Sequence, residues 1–283
     1  MEDSLPALLK KYNLFPRKGL GQNFLADPFH LAKIIEAAQL SQSDTVLEIG
    51  PGPGTLTRRL VEAAGRVIAV ELDTGMIDLL QNELGHYPNL TLVEADILTV
   101  SLDSILPVAA PQQPKIGQYK VVANLPYYIT SAVLRHLLEA TPPPTRLVVT
   151  VQKEVAQRIV AGPGDMSVLA VSVQLYGQPQ VVHRIPAGAF YPPPNVDSAL
   201  LRVDTHPSLP IPVADVDHFF KVVKAGFSQK RKQLKNSLAG GLGQPAQEIS
   251  TALEQAAINP TRRAETLSLE EWGRLAALLS AEQ

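Results

Sequence analysis

Apolar runs rich in β-branched residues recur through the first 150 residues: TVLEIG at 45–50, RVIAVEL at 66–72, LTLVEAD at 90–96, KVVAN at 120–124 and LVVTVQ at 147–152. Each is strand-length, and helical periodicity fills the stretches between, such as those opening at Leu56 and Thr74. Near-continuous apolar strands alternating with helices predict a mostly parallel sheet covered on both faces, an α/β fold. Upstream, Asp27 before Pro28 predicts a helix start, with Leu31, Ile34, Ile35 and Ala38 on one face. The rhythm changes after residue 150. SVLAVSVQLY at 167–176, QVVHRI at 180–185 and SALLRV at 198–203 read as strands, the last two as an antiparallel pair closing the sheet edge. The proline-rich THPSLPIPV then separates a helical tail beginning near Ala214. Three helices are predicted there, the first ended by Gly240-Gly241 and the last opened by Ser268 and Glu271 at capping-box spacing. Residues 108–117 read as an exposed loop. The expected organisation is a Rossmann-like domain with an N-terminal helical extension at 1–204 and a small helical domain at 205–283.

Of the 283 residues, 45% are hydrophobic but only 5% aromatic, so aliphatic side chains must fill the core. No apolar run approaches the roughly 18 residues of a membrane span. The start is acidic, then basic, unlike a secretory signal, and a cytoplasmic protein is expected. Cysteine is absent, which excludes disulfides and thiolate metal sites, and the scattered histidines lack ligand spacing, so no metal is expected. Net charge is −2, and its distribution says more than its sum. Beyond Asp217 come Lys221, Lys224, Lys230, Arg231, Lys232 and Lys235 with no acid between them. Phe219, Phe220, Val223 and Phe227 form an apolar stripe at helical spacing that would turn these cations outward together, either as a solvated face or toward phosphates. A smaller basic cluster is Lys10, Lys11, Arg17 and Lys18.

The sequence LEIGPGPGTLT follows the first strand of the sheet directly. Gly50, Gly52 and Gly54 have the E-x-G-x-G-x-G spacing of methyltransferases that use S-adenosylmethionine; a nicotinamide fingerprint needs its third glycine one place later, where Thr55 stands. Glycine at Gly50 and Gly52 lets a ligand approach the backbone. Glu71, ending the second strand, suits ribose hydroxyls, the alternative being a solvated glutamate. Asp96, ending the third, suits an adenine amino group, the alternative being a helix cap. All lie at carboxyl ends of strands, where open α/β sheets bind ligands.

At the end of the fourth strand the chain reads Asn-Leu-Pro-Tyr-Tyr. Methyl transfer to an adenine amine needs acceptors facing the amine hydrogens, because they stabilise the charge that develops as nitrogen becomes tetrahedral. Asn124 offers a side-chain carbonyl, and the Leu125 carbonyl is released from the ladder by Pro126. Tyr127 can stack on the base, as a flipped base requires. Tyr128 either joins it or packs in the core.

GQNFL at 21–25, NLPYY at 124–128, QKEVAQRIV at 152–160, FYPPPNVDSAL at 190–200, FSQKRKQLKNSL at 227–238 and RRAETLSLEEW at 262–272 occur in one order across nearly the whole chain. Together they resemble the small-subunit rRNA adenine dimethyltransferases, the KsgA/RsmA family. The resemblance implies a class I methyltransferase using S-adenosylmethionine. It implies cofactor contacts from Asn23, Leu25, Gly50, Glu71, Asp96 and Asn124. Phe190 resembles the aromatic that sandwiches the target base against Tyr127, the alternative being a buried loop anchor. Lys230, Arg231, Lys232 and Lys235 would hold RNA. Family members dimethylate two adjacent adenosines in a hairpin near the 3′ end of 16S rRNA during small-subunit biogenesis, which implies the immature 30S subunit as partner; a monomer is the default. AGPGDMSVLAV, after Val160, is shorter than the family's usual loop and lacks its arginine. No general base stands out. The rivals are a large-subunit adenine dimethyltransferase of the macrolide-resistance type, a non-catalytic ribosome assembly factor and a DNA adenine methyltransferase. GQNFL and RAETLS favour the small-subunit family.

Overall fold

The five apolar runs all form strands in the computed structural model, which describes residues 4–106 and 118–279; the loop expected at 108–117 lies outside the described residues. The chain opens with α1 (Leu5–Lys11), the short strand β1 (Phe24–Leu25) and α2 (Pro28–Ala38). Then come β2 (Thr45–Ile49), α3 (Thr55–Ala63), β3 (Arg66–Glu71), α4 (Thr74–Leu84), β4 (Leu90–Glu94) and α5 (Leu102–Ile105). β5 (Tyr119–Asn124), α6 (Thr130–Leu138), β6 (Arg146–Gln152), α7 (Lys153–Ile159) and α8 (Val168–Gln174) follow. β7 (Gly177–Ile185), β8 (Phe190–Tyr191) and β9 (Ser198–Thr205) lead into the tail helices α9 (Val216–Phe227), α10 (Leu234–Leu242), α11 (Ala246–Gln255) and α12 (Leu269–Leu279).

Seven strands form one sheet in the order β4-β3-β2-β5-β6-β9-β7. The pairs from β4 to β6 are parallel, and β9 runs antiparallel to β6. Val46, Leu47, Val67, Ile68, Val121, Val122, Val148 and Val149 are all fully buried, as strands covered on both faces require. β1 and β8 make a separate antiparallel ribbon, with Phe24 opposite Tyr191 and Leu25 opposite Phe190. Asp27 starts α2 as predicted, its carboxylate accepting from the Phe29 amide at 2.8 Å. Leu31, Ile34 and Ala38 are buried below it. Because the strand order reverses between β2 and β5, a crevice opens at their carboxyl ends.

The chain forms two compact units, and they do not divide at one cut near residue 204. One runs to Ala156 and resumes over Pro179–Thr205; the other takes Gln157–Gln178 and everything from His206 on. The run at 167–176, expected to be a strand, is helix α8 instead. Ser167 caps it, accepting from the Ala170 amide. Met166, Ala170, Val171 and Leu175 then pack in the second unit's core with Phe219, Phe220 and Trp272. Burial here overrides the β preference of its valines.

The tail also departs from expectation, with four helices where three were predicted. Gly240 and Gly241 lie inside α10, and the helix ends at Gly243, whose φ is +71°. Gly241 has a packing reason: a Cβ there would stand 2.7 Å from the Ala225 Cβ and 2.8 Å from its Cα, so only glycine lets α10 approach α9 this closely. The capping box forms as predicted, the Ser268 amide donating to Glu271 at 2.8 Å and the Glu271 amide to the Ser268 hydroxyl at 3.3 Å.

The two neighbouring glycines should therefore respond oppositely to alanine. Gly240→Ala meets only the Gln229 side chain at 3.5 Å, so helix propensity should raise stability by up to about 1 kcal/mol. Gly241→Ala overpacks against backbone and should lower it by about 1–3 kcal/mol. Denaturant midpoints measure both, and equal shifts of the same sign would contradict the packing argument.

Candidate active site

The crevice holds a cavity of about 240 Å³. Its walls come from the segment Leu20–Phe24, the glycine turn after β2, the ends of β3 and β5, and the turns that follow β4 and β5. Of the residues singled out in the sequence, Asn23, Gly50, Gly52, Glu71, Asp96, Asn124, Leu125, Pro126 and Tyr127 all line it. The glycine turn has the backbone that its spacing demands. Gly52 sits at φ +54°, and a Cβ there would lie 2.6 Å from the Phe24 ring. The Phe24 ring covers Gly52 closely, whereas a Cβ on Gly50 would meet only the Pro126 ring at 3.9 Å, so the turn's backbone is most open to the cavity at Gly50.

Glu71 is buried and already engaged. One carboxylate oxygen accepts from the Gly52 amide at 3.0 Å, the other from the amides of Leu72 at 2.8 Å and Asp73 at 3.0 Å. Burial pushes its pKa up while these amides work against the rise. A carboxylate has about four acceptor directions, so roughly one is left for a ligand. Asp96 does cap its own turn, accepting from the Leu98 amide at 2.9 Å with one oxygen. It lines the cavity as well, and its second oxygen has no partner among the described residues. Leu72, 51% exposed, and Ile97 supply apolar wall beside it.

The amide of Asn124 is the most constrained group. Its Nδ2 donates to the Asn23 backbone carbonyl at 2.8 Å, and its Oδ1 accepts from the Thr150 hydroxyl at 2.8 Å. A carbonyl can only accept, so Asn23 fixes which end of the amide faces it. One lone pair of Oδ1 stays available. The Leu125 carbonyl accepts no hydrogen bond among the described residues. Tyr127 is half-buried, with its hydroxyl 2.7 Å from that of Ser198. Tyr128 is not core; it is 61% exposed at the rim.

Two expected site residues do not line this cavity, although Leu25 shares a smaller one with Phe24, Gly50 and Asn124. Leu25 and Phe190 are both buried in the sheet unit's core, 2% and 4% exposed, because the β1–β8 ribbon turns this opposed pair inward. Phe24, their neighbour, reaches the cavity instead. In the second unit, Lys230, Arg231 and Lys232 stand exposed in the turn between α9 and α10, not on a helix as expected. Lys235 is half-buried in the first turn of α10.

Sequence reasoning missed Thr150 and Ser198, the fully buried hydroxyls that hold Asn124 and Tyr127. A lone threonine within the apolar LVVTVQ was the available signal. It also missed the clasp in which Gln22 donates to Asp73 at 3.0 Å, tying the N-terminal segment to the start of α4.

A family model described as ribosomal RNA adenine dimethylase matches residues 14–280. The chain is 51% identical over 269 residues to the ribosomal RNA small subunit methyltransferase A of Dehalococcoides mccartyi strain CBDB1, covering 95% of this chain and 90% of that protein. Among solved structures, a dimethyladenosine transferase from Plasmodium falciparum is similar at TM-score 0.73 and 27% identity, over 89% of this chain and 95% of that one. The 23S rRNA methyltransferase ErmE is similar at TM-score 0.69 and 29% identity, over 91% and 99%.

One buried acid in the glycine turn's strand makes a separate prediction. Glu48 is 1% exposed, and among the described residues neither of its oxygens makes a well-formed hydrogen bond, the buried Thr57 hydroxyl being the polar group nearby. Burial pushes its pKa from 4.5 up to about 8, with the Thr57 hydroxyl working against the rise and the Glu71 charge adding to it. Between those values the folded chain keeps a proton that the unfolded chain has lost. Stability therefore falls as pH rises through this window, by up to about 1.4 kcal/mol per unit. Glu48→Gln removes that slope, so its thermal midpoint should gain on the wild type between about pH 5 and about pH 8. A constant difference across the window would refute the buried neutral acid.

Proposed function

The chain belongs to the ribosomal RNA adenine dimethylase family, and from that premise we propose how its cavity serves the reaction. It is an rRNA adenine dimethyltransferase of the class I methyltransferase fold that uses S-adenosylmethionine and acts on small-subunit rRNA. The finer reading is that it dimethylates two adjacent adenosines in a hairpin near the 3′ end of 16S rRNA, on the immature 30S subunit, as a cytoplasmic monomer.

S-adenosylmethionine fits the donor set. Gly50 leaves the turn's backbone open to the cavity, and Glu71 keeps about one acceptor direction for a ribose hydroxyl. The free oxygen of Asp96 suits the adenine amino group between Leu72 and Ile97. Asn23 and Asn124 close the other side. When bound, the cofactor supplies an electrophilic methyl group.

The observation that carries the catalytic reading is the pair of acceptors at the end of β5. Asn124 Oδ1 and the Leu125 carbonyl each retain acceptor capacity at the cavity. Together they would hold the two hydrogens of the target amine and favour the tetrahedral nitrogen of the transition state. Pro126 keeps that carbonyl out of the ladder, and Tyr127, anchored through Ser198, stacks on the extruded base. Phe190, expected to sandwich the base against Tyr127, is buried in the sheet unit's core. In each transfer the newly methylated nitrogen would be tetrahedral and positively charged, which makes its proton acidic, and that proton would leave to solvent through the open cavity. The exposed turn of Lys230, Arg231 and Lys232, with Lys235, holds rRNA phosphates and positions the subunit without reading its sequence.

Labelled S-adenosylmethionine should transfer methyl to unmethylated small subunits, with large subunits alongside, and digestion with mass spectrometry should find dimethyladenosine at two adjacent positions. Label only in large subunits would move the substrate to that subunit; label in neither would leave an assembly factor. With Lys230, Arg231 and Lys232 changed to alanine, subunit binding should weaken and its log–log salt slope should shrink by about 0.7–0.9 per lost phosphate contact. An unchanged slope would remove the turn from the RNA interface.

A further inference from the structure

Asn124 and Tyr127 account for one base, yet the reaction proposed above involves two neighbouring adenosines. This reading leaves two aromatics at the cavity unused, the buried Phe24 and the exposed Tyr128, and only Tyr128 is open to solvent. It is 61% exposed, and its hydroxyl has no partner among the described residues, whereas that of Tyr127 is tied to Ser198. Such exposure is unusual for a ring lining a cavity, and the ring is not loose. A Cβ on Gly21, at φ +62°, would lie 3.1 Å from the Tyr128 Cδ1 and 3.3 Å from its Cε1. The bare backbone of Gly21 thus supports the ring closely.

Tyr127 and Tyr128 open a 3₁₀ turn, Tyr127–Ile129, pinned by the Ile129 amide donating to the Pro126 carbonyl at 3.3 Å. Successive side chains on a 3₁₀ turn diverge by about 120°. The two rings therefore cannot stack on one base. A base taken from the stack also deprives its neighbour of a stacking face. We infer that Tyr128 is a stacking platform for the nucleotide next to the target adenosine, a positioning residue that holds one adenosine while the other is in the site. This inference rests on the rRNA reading above. Its chemistry is base–aromatic stacking, which tolerates any base because every base has a π-face. Any ring should serve, and the hydroxyl should not matter.

The test compares the wild type with Tyr128→Ala, Tyr128→Phe and Tyr128→Trp on unmethylated small subunits. It reads KM, the methylation state of each adenosine by mass spectrometry, and affinity for S-adenosylhomocysteine by calorimetry. Tyr128→Ala should raise KM roughly 5- to 100-fold and skew the product toward one adenosine. Its affinity for S-adenosylhomocysteine should stay within about twofold of the wild type, a shift far smaller than the loss of one stacked base. The phenylalanine and tryptophan variants should behave like the wild type. The platform is overturned if alanine leaves KM and product distribution unchanged, or if phenylalanine fails as alanine does. It is equally overturned if S-adenosylhomocysteine affinity falls in step with KM, which would make the ring a cofactor wall. A wild type that methylates no small subunits at all fails earlier: it overturns the substrate reading, and the platform with it.

Discussion

The side-chain amide of Asn124 is held from two sides, and most of the site depends on that fixation. Its N–H donates to the Asn23 carbonyl, and its oxygen accepts from the Thr150 hydroxyl. One contact comes from the N-terminal segment and the other from the neighbouring parallel strand, so three distant parts of the sequence converge on a single amide. An unanchored asparagine could rotate and present a donor to the cavity. Here rotation would set the amide oxygen against the Asn23 carbonyl, acceptor facing acceptor. The orientation that remains keeps a lone pair available at the cavity, where general electrostatic arguments require an acceptor.

A similar economy governs the glycine turn. Glu71 is spent largely on the fold, because its carboxylate ties together the amides of Gly52, Leu72 and Asp73. It shapes the turn and leaves roughly one acceptor direction toward the cavity. Replacing it would disturb the cavity's walls. The Gln22–Asp73 clasp then brings the segment that supplies Asn23 over the same crevice. Fold and site are thus built from the same hydrogen bonds.

Much of this was legible in the sequence because the signals were local. The apolar runs gave the parallel strands, Asp27-Pro28 and Ser268-Glu271 gave helix starts, and the strand ends gave Glu71, Asp96 and Asn124. What escaped depended on tertiary placement. The valines of 167–176 look like a strand until the second unit's core selects a helix. Gly241 looks like a terminator until Ala225 is found within contact distance of it. Leu25 and Phe190 each sit in motifs next to the cavity, yet their cross-strand pairing turns both into the core. Thr150 and Ser198 carry no motif of their own, and their value comes only from the side chains they meet.

The central claim is that Asn124 acts on the reacting amine and not on substrate capture. The direct measurement is single-turnover methyl transfer to small subunits by Asn124→Ala, with subunit affinity determined on the same preparation. Transfer should fall by about 100-fold or more while subunit affinity stays within about threefold, since phosphate contacts elsewhere supply most of the binding. Parallel loss of transfer and subunit affinity would contradict this separation, and so would transfer that survives the substitution.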